Sequence, residues 1–302
     1  MNNMLVEHTP VLAETLAEHI RLSKGAVVID ATVGHGGHSS IFGRTLDKAG
    51  LIFGLDVDEK CLEEAQRNLS GLSCQVVLRR ANFSALSTEI AKEGIEKADL
   101  IIADLGICSA QLTDAAKGLS FQENMRLDMR LDNRLGTNAA DIVNNTDEKD
   151  LSDVIYNFGQ ERASRKIARS IVQYRETRKI TTTAQLSNIV CRALGQSPTS
   201  RKRKTHPATK TFQSLRIAVN SELESLKKLL SAAPEILAQG GQIAIISFHS
   251  LEDKLVKEDF KKNKIAGIYE IITKKPMIAT RTEILANPRA RSAKLRIARK
   301  QE

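Results

Sequence analysis

The sequence predicts an α/β fold: a doubly wound sheet of mostly parallel strands, interrupted by a helical insert. Three observations carry that prediction. Apolar runs such as Val27-Val28-Ile29 and Leu100-Ile101-Ile102-Ala103 do not alternate with polar residues, as expected of strands covered on both faces. Such runs take turns with helical patterns through the first hundred residues, the signature of βαβ units. The strand pattern stops between about 113 and 205 and resumes from His206.

In chain order, strands are expected at 26–32, 51–56, 75–80 and 98–104, with helices at 39–48, 58–69 and 84–93. Within the interruption, Asp141 to Asn157 and Gln160 to Arg178 have helical spacing. The stretch Gly118 to Asn138, rich in Asn, Asp, Arg and Met, reads as an ordered loop. Phe212, Leu215, Val219, Leu223, Leu226 and Leu230 recur at three and four, which predicts one amphipathic helix closed by Gly240-Gly241. A buried strand at 242–247 and a helix over Glu252 to Lys262 follow, with Ser250 placed to cap that helix. Tyr269 to Lys274 and Ser292 to Arg299 are the last two strands, the final one alternating. Residues 1–112 and 206–302 are thus expected to form one discontinuous domain, and 113–205 a mainly helical insert. An insert there stands beside the carboxyl ends of the strands, where ligands bind in such sheets, and would wall the pocket on the substrate side.

At 302 residues the chain can bury one large core, or one large and one small. No apolar run approaches a membrane span, and the start around Glu7 and His8 has no long apolar region, so neither membrane insertion nor a signal peptide is expected. Cys61, Cys74, Cys108 and Cys191 are scattered, without metal-ligand or disulfide spacing. No metal is expected, and a reducing cytoplasm suits the chain. The net charge of +9 favours a polyanionic partner, and its clustering decides against mere solubility. Arg201-Lys202-Arg203-Lys204 is one run; Arg289, Arg291, Lys294, Arg296, Arg299 and Lys300 crowd the C-terminus; Arg162, Arg165, Lys166 and Arg169 make a basic helix face. With aromatics at 4% and no Trp, phosphate contact is expected rather than a stacking platform of aromatics like that of an RNP sheet.

The chemistry begins at Asp30-Ala31-Thr32-Val33-Gly34-His35-Gly36-Gly37-His38-Ser39, a strand end, a Gly turn and a helix start. Asp56 closes the next strand and could accept hydrogen bonds from both hydroxyls of a ribose. A dinucleotide site wants Gly at the sixth position of the turn, where this chain has Ser39. S-adenosylmethionine has no phosphate and does not need that close approach, so the pattern leans toward it. Strand four ends in Asp104-Leu105-Gly106, which brings an acceptor to the pocket mouth; its bland role is a turn cap. An exocyclic amine is a poor nucleophile because its lone pair is conjugated. An acceptor on its N–H frees that pair, and the rest is positioning of the methyl donor. Cys108 is the one cysteine near the site, and burial as a small hydrophobe is its ordinary role. The role of His249, in Ser247-Phe248-His249-Ser250-Leu251-Glu252, stays open.

Seven strings together resemble one family: HTPVL from His8, DATVGHGGHS from Asp30, DLGICSAQL from Asp104, LDMRLD from Leu127, HPATKTFQSLRIAVNSEL from His206, SFHSLEDK from Ser247 and NPRARSAKLR from Asn287. They are similar to the MraW/RsmH methyltransferases and run over nearly the whole chain. The resemblance implies a Rossmann-like class I methyltransferase sheet with an inserted helical domain. It implies methyl transfer from S-adenosylmethionine to N4 of a cytidine in 16S ribosomal RNA, with the small subunit or a late precursor as partner. The family's cofactor residues match Gly36, Gly37, His38, Asp56, Phe83, Asp104 and Gln111, with Phe83 placed to pack on adenine. Asp104 is also the candidate catalytic acceptor. Arg201, Lys202, Arg203, Lys204, Arg289 and Arg291 are the candidate RNA contacts. Cys108-Ser109-Ala110 replaces the family's Ser-Ser-Pro, and Met125-Arg126 stands where it has Gly-Pro. Three other readings compete. A nucleotide-dependent oxidoreductase is opposed by Ser39 and the basic clusters, and an inactive nucleic-acid binder by Asp56 and Asp104. An amino-methyltransferase acting on DNA or another RNA is opposed by Leu105-Gly106, where DNA enzymes usually carry a Pro-Pro-Tyr type motif.

Overall fold

The computed structural model describes residues 10–197 and 206–301. The basic run Arg201 to Lys204, and His8 and Thr9 of the string that begins at His8, lie outside the described residues.

The chain divides into two compact units, one built from residues 1–106 and 223–302, the other from 107–222. The first contains strands β1 (Val27–Asp30), β2 (Leu51–Asp56), β3 (Gln75–Arg80), β4 (Ala98–Asp104), β5 (Leu237–Ser247), β6 (Tyr269–Ile271) and β7 (Lys294–Lys300). They form one sheet in the order β3-β2-β1-β4-β5-β7-β6. β3 through β5 run parallel, and β7 is antiparallel to both β5 and β6. The chain winds outward from β1 to β3 and returns to β4, so the strand order reverses between β1 and β4. Alternate strand residues serve opposite faces. Ile29, Phe53, Ile101, Ile243 and Ile245 join one core, and Val28, Ile52, Leu100, Ile102, Ala244 and Ile246 the other. This two-sided burial is why these runs are continuously apolar in sequence.

The helices of the chain are α1 (Ala13–His19), α2 (Gly37–Gly43), α3 (Glu59–Leu69), α4 (Leu86–Lys92), α5 (Ser109–Thr113), α6 (Ala139–Asn145), α7 (Glu148–Gly159), α8 (Ser164–Arg175), α9 (Thr183–Ala193), α10 (Thr209–Asn220), α11 (Glu222–Ile236), α12 (Ser250–Ile265) and α13 (Arg281–Ala286). The second unit holds α5 to α10 around its own core, which includes Leu127, Met129, Val143, Leu151, Ile155, Ile167, Ile171, Leu186, Val190, Phe212 and Leu215. α10 packs there among the helices, so this unit extends beyond the 113–205 expected from sequence.

Four local expectations are corrected. The amphipathic pattern from Phe212 to Leu230 is two helices, because Ser221 takes a left-handed conformation (φ 50°) that ends α10. Asn220 beside it is engaged sideways, donating to the Met129 carbonyl (2.8 Å) and accepting from the Leu131 N–H (2.8 Å). The spacing of four from Val219 to Leu223 carries the period across the break and hides it. Gly240-Gly241 does not end a helix; both lie inside β5, at a register irregularity against Ala98 and Leu100. Ser250 is not the cap of α12. His249 is, its Nδ1 accepting from the Glu252 N–H at 3.3 Å while Glu252 Oε2 accepts from the N–H groups of Phe248 (2.8 Å) and His249 (3.1 Å). Finally β7 does not alternate. Leu295 to Ala298 are all buried, because the strand lies between β5 and β6.

Candidate active site

The site is built at the carboxyl ends of β1, β2 and β4, beside the reversal in strand order. β1 ends in Asp30, which is 2% exposed. Its carboxylate accepts from the Ser39 hydroxyl at 2.7 Å and the Thr32 N–H at 3.2 Å. Burial pushes the Asp30 carboxyl above its ordinary pKa, against the opposing pull of His38 and these hydrogen bonds. Ser39 therefore occupies the sixth turn position for a reason: its hydroxyl ties α2 back onto the strand end. The turn reaches α2 through Gly36, whose φ of 83° favours glycine and whose Cβ would press within 3.0 Å of Leu69. A Cβ on Gly37 would meet Pro10 at 3.2 Å. Both glycines make room for the protein's own side chains.

Asp56 at the end of β2 holds the turn. Its Oδ2 accepts from the Gly34 N–H at 3.0 Å and its Oδ1 from the Asp58 N–H at 2.8 Å. Phe83 opens a single 3-10 turn after β3, capped by Asn82, and packs partly buried against the core. At the end of β4 the Asp104 N–H donates to Thr32 Oγ1 at 2.7 Å, which couples the two strand ends. Asp104 Oδ2 stands 3.5 Å from His38 Nε2, within ion-pair reach but without a hydrogen bond. His38 is 6% exposed. Both His38 ring nitrogens and Asp104 Oδ1 are buried with no hydrogen-bond partner. Three orphaned polar atoms at one strand-end cluster are what a polar ligand would satisfy.

The structure thus brings together Gly36, Gly37, His38, Asp56 and Asp104, with Phe83 on the neighbouring strand's exit. Gln111 belongs to the other unit. It is buried on α5, where its Oε1 accepts from the Cys108 N–H at 3.1 Å as the third helical residue of a capping box. Asp30, Thr32 and Ser39 were missed as site residues by sequence reasoning. The available signal was the position of Asp30 and Thr32 around a strand end and of Ser39 where a dinucleotide turn needs Gly.

The model of the MraW methylase family matches residues 5–301. The chain belongs to the MraW methylase family. A curated relative from Koribacter versatilis, a ribosomal RNA small subunit methyltransferase H, is 43% identical over 298 residues, covering 96% of this chain and 93% of its own. One of the same name from Acidobacterium capsulatum is 42% identical, covering 97% and 98%. Among solved structures, an rRNA-methylase described as putative from Clostridium thermocellum aligns over 96% of this chain and 93% of its own at 12% identity, with a TM-score of 0.45. As a MraW-family methylase the chain is a methyltransferase on a Rossmann-like α/β sheet, and its methyl donor is S-adenosylmethionine.

The residues fit that donor. His38 and Asp104 supply buried polar atoms in need of partners, and Asp56 supplies a carboxylate held in place by two backbone N–H groups. Asp56→Ala is expected to weaken S-adenosylmethionine binding by about 1.5–3 kcal/mol, the scale of hydrogen bonds to a charged group. Titration calorimetry measures this; a change under a few tenths of a kcal/mol would remove Asp56 from the donor site.

The candidate RNA contacts are not part of this cluster. Arg289 and Arg291 lie on the 3-10 turn Pro288–Ser292, Arg289 half-buried and Arg291 exposed. Lys294, Arg296, Arg299 and Lys300 of the C-terminal cluster are engaged within the protein. Arg296 is 7% exposed and donates to Asp253 at 2.7 Å, and Lys294 reaches the same carboxylate at 3.3 Å. Burial alone would raise the Asp253 carboxyl, but these two cations carry it below its usual range. Arg299 pairs with Glu270, and Lys300 donates to the carbonyls of Pro234 and Leu237.

Proposed function

We propose that the chain transfers a methyl group from S-adenosylmethionine to the exocyclic N4 of one cytidine in 16S ribosomal RNA. The observation that carries this reading is Asp104, a carboxylate at the end of β4 with one buried, unpartnered oxygen. Gly36, Gly37, His38, Asp56 and Phe83 would hold the donor. When bound there, S-adenosylmethionine supplies an electrophilic methyl on a sulfonium. Asp104 accepts a hydrogen bond from the amine N–H, which releases the nitrogen lone pair toward that methyl. As the N–C bond forms, the methyl's bond to sulfur would break with its electron pair left on sulfur, giving neutral S-adenosylhomocysteine, and the amine's surplus proton would leave by way of the Asp104 carboxylate to water. Thr32, holding the Asp104 N–H, keeps the acceptor fixed during the step, and fixing reactants in line is a large share of such catalysis.

The names of the relatives support ribosomal RNA as the substrate. The base must leave its stack to reach a strand-end site, so the substrate is a shaped RNA site in the small subunit or a late precursor. Methylation needs no metal, and its place is the cytoplasm. Among the described residues no helix is long and apolar enough to cross a membrane. The 107–222 unit would select the RNA site by shape. Incubation of unmethylated small subunits with labelled donor, then nuclease digestion and nucleoside analysis, tests the reading. Label on N4-methylcytidine is expected; label on carbon 5, or on DNA alone, would overturn it.

A further inference from the structure

We infer that the solvent face of α8, with the turn before it, docks the phosphate backbone of the substrate RNA. The inference rests on the proposed function and names where the 107–222 unit grips its substrate. That unit holds 19 of the chain's 45 Lys and Arg but 12 of its 36 Asp and Glu, so the excess positive charge is concentrated there. On α8, Ile167, Ala168 and Ile171 are buried in the unit's core, and Arg165, Lys166 and Arg169 are exposed on the opposite side. Arg162 stands exposed in the preceding turn, which is held by Glu161: its carboxylate accepts from the Ala163 N–H at 3.0 Å and its carbonyl from the Ser164 N–H at 3.2 Å.

Little within the unit neutralises this face. Arg169 reaches Glu148 of α7 at 3.5 Å, a loose pair with both groups exposed. Among the described residues Arg162, Arg165 and Lys166 make no ion pair. Arg165 and Arg169 lie four apart and Lys166 and Arg169 three apart, so the face carries like-charge repulsion that a bound polyanion would relieve. α7 runs antiparallel beside α8, as the Ser152 Oγ to Ser164 Oγ contact of 3.1 Å and the Arg169–Glu148 pair show. Tyr156, 56% exposed, therefore sits at the same end as Arg162, an aromatic surface on which one unpaired base could stack.

The test is the triple variant Arg162→Glu/Arg165→Glu/Lys166→Glu. Its control is Lys257→Glu/Lys261→Glu/Lys264→Glu, an equal change of charge on the exposed side of α12. With 16S RNA as probe, the α8 variant should bind on the order of 10²-fold more weakly near 0.1 M salt. Its slope of log affinity against log salt should be shallower by roughly 2 to 3, since each lost phosphate contact removes about 0.7–0.9. KM for small subunits should rise, while kcat at saturation and donor binding stay those of the parent. The α12 control should move affinity much less. RNA affinity and salt slope equal to the parent's would overturn the inference. A raised KM for subunits with unchanged binding to naked RNA would also overturn it, by assigning α8 to an acidic protein surface. Absence of methylation by the parent chain would instead sink the proposed function, so the two failures are distinguishable.

Discussion

Asp104→Ala should lower kcat for methylation of small subunits by about 10²–10³-fold, the usual effect of removing a positioned acceptor or charge stabiliser from a reacting group. The side chain is removed without loosening the strand end, because it is the Asp104 backbone N–H that bonds Thr32 Oγ1. Asp104 also faces His38, a proposed donor contact, so donor affinity has to be measured on the same variant by calorimetry. The expected pattern is a kcat loss that persists with donor and subunits both saturating. A variant that regains parental kcat once donor is raised would reduce Asp104 to a donor contact and leave the amine without its acceptor. Asp104→Asn keeps an acceptor oxygen but no charge, and should fall between the two.

The second large effect is on stability. Gly118 has φ 58°, and a Cβ there would overlap the Arg126 carbonyl oxygen, with the Asp128 N–H close behind. Backbone cannot move aside as a side chain can. Gly118→Ala should therefore cost on the order of 3 kcal/mol or more. Gly195→Ala is the matched comparison: φ is 65°, but no atom lies within 4 Å of the added Cβ. It should cost only about 1 kcal/mol for the left-handed backbone. Thermal melting followed by circular dichroism reads both. Equal shifts would mean that the loop around Gly118 yields, against the contacts that pin it. Those contacts are many: the Met129 N–H donates to the Lys117 carbonyl (2.7 Å), and Met125 exchanges hydrogen bonds with Thr183. Asp128 clasps Arg130 through both oxygens (2.7 and 2.8 Å).

The parallel strands were legible because burial on two faces writes continuous apolar runs, and the candidate residues Asp56 and Asp104 because each closes one of those strands. What escaped has physical causes. Arg296 reads as a free surface cation in sequence, but β7 is covered on both sides by neighbours and Asp253 meets it from α12. His249 was opaque because a histidine ring can cap a helix through Nδ1, a role usually filled by shorter side chains. Ser39 was read only as a missing glycine, when its hydroxyl binds Asp30 nine residues earlier. The departures at Met125 and Arg126 fit the same pattern: Met125 is buried, and Arg126 bridges to Thr182 at the start of α9. The Arg296–Asp253 and Arg126–Thr182 pairings join residues far apart in the chain, where periodicity carries no information.

β4 ends at Asp104, and the strand that pairs with its open side begins only at Leu237. On a ribosome making roughly 10 residues per second, that separation leaves the inner half of the sheet unpaired along one edge for on the order of ten seconds. The edge is apolar, with Leu100, Ile101 and Ile102 at its centre, the kind of template that invites pairing with another chain. Every residue of the 107–222 unit emerges during that interval, and the unit carries its own core. Synthesis of this enzyme therefore passes through a state in which the helical unit has emerged and the sheet is still incomplete.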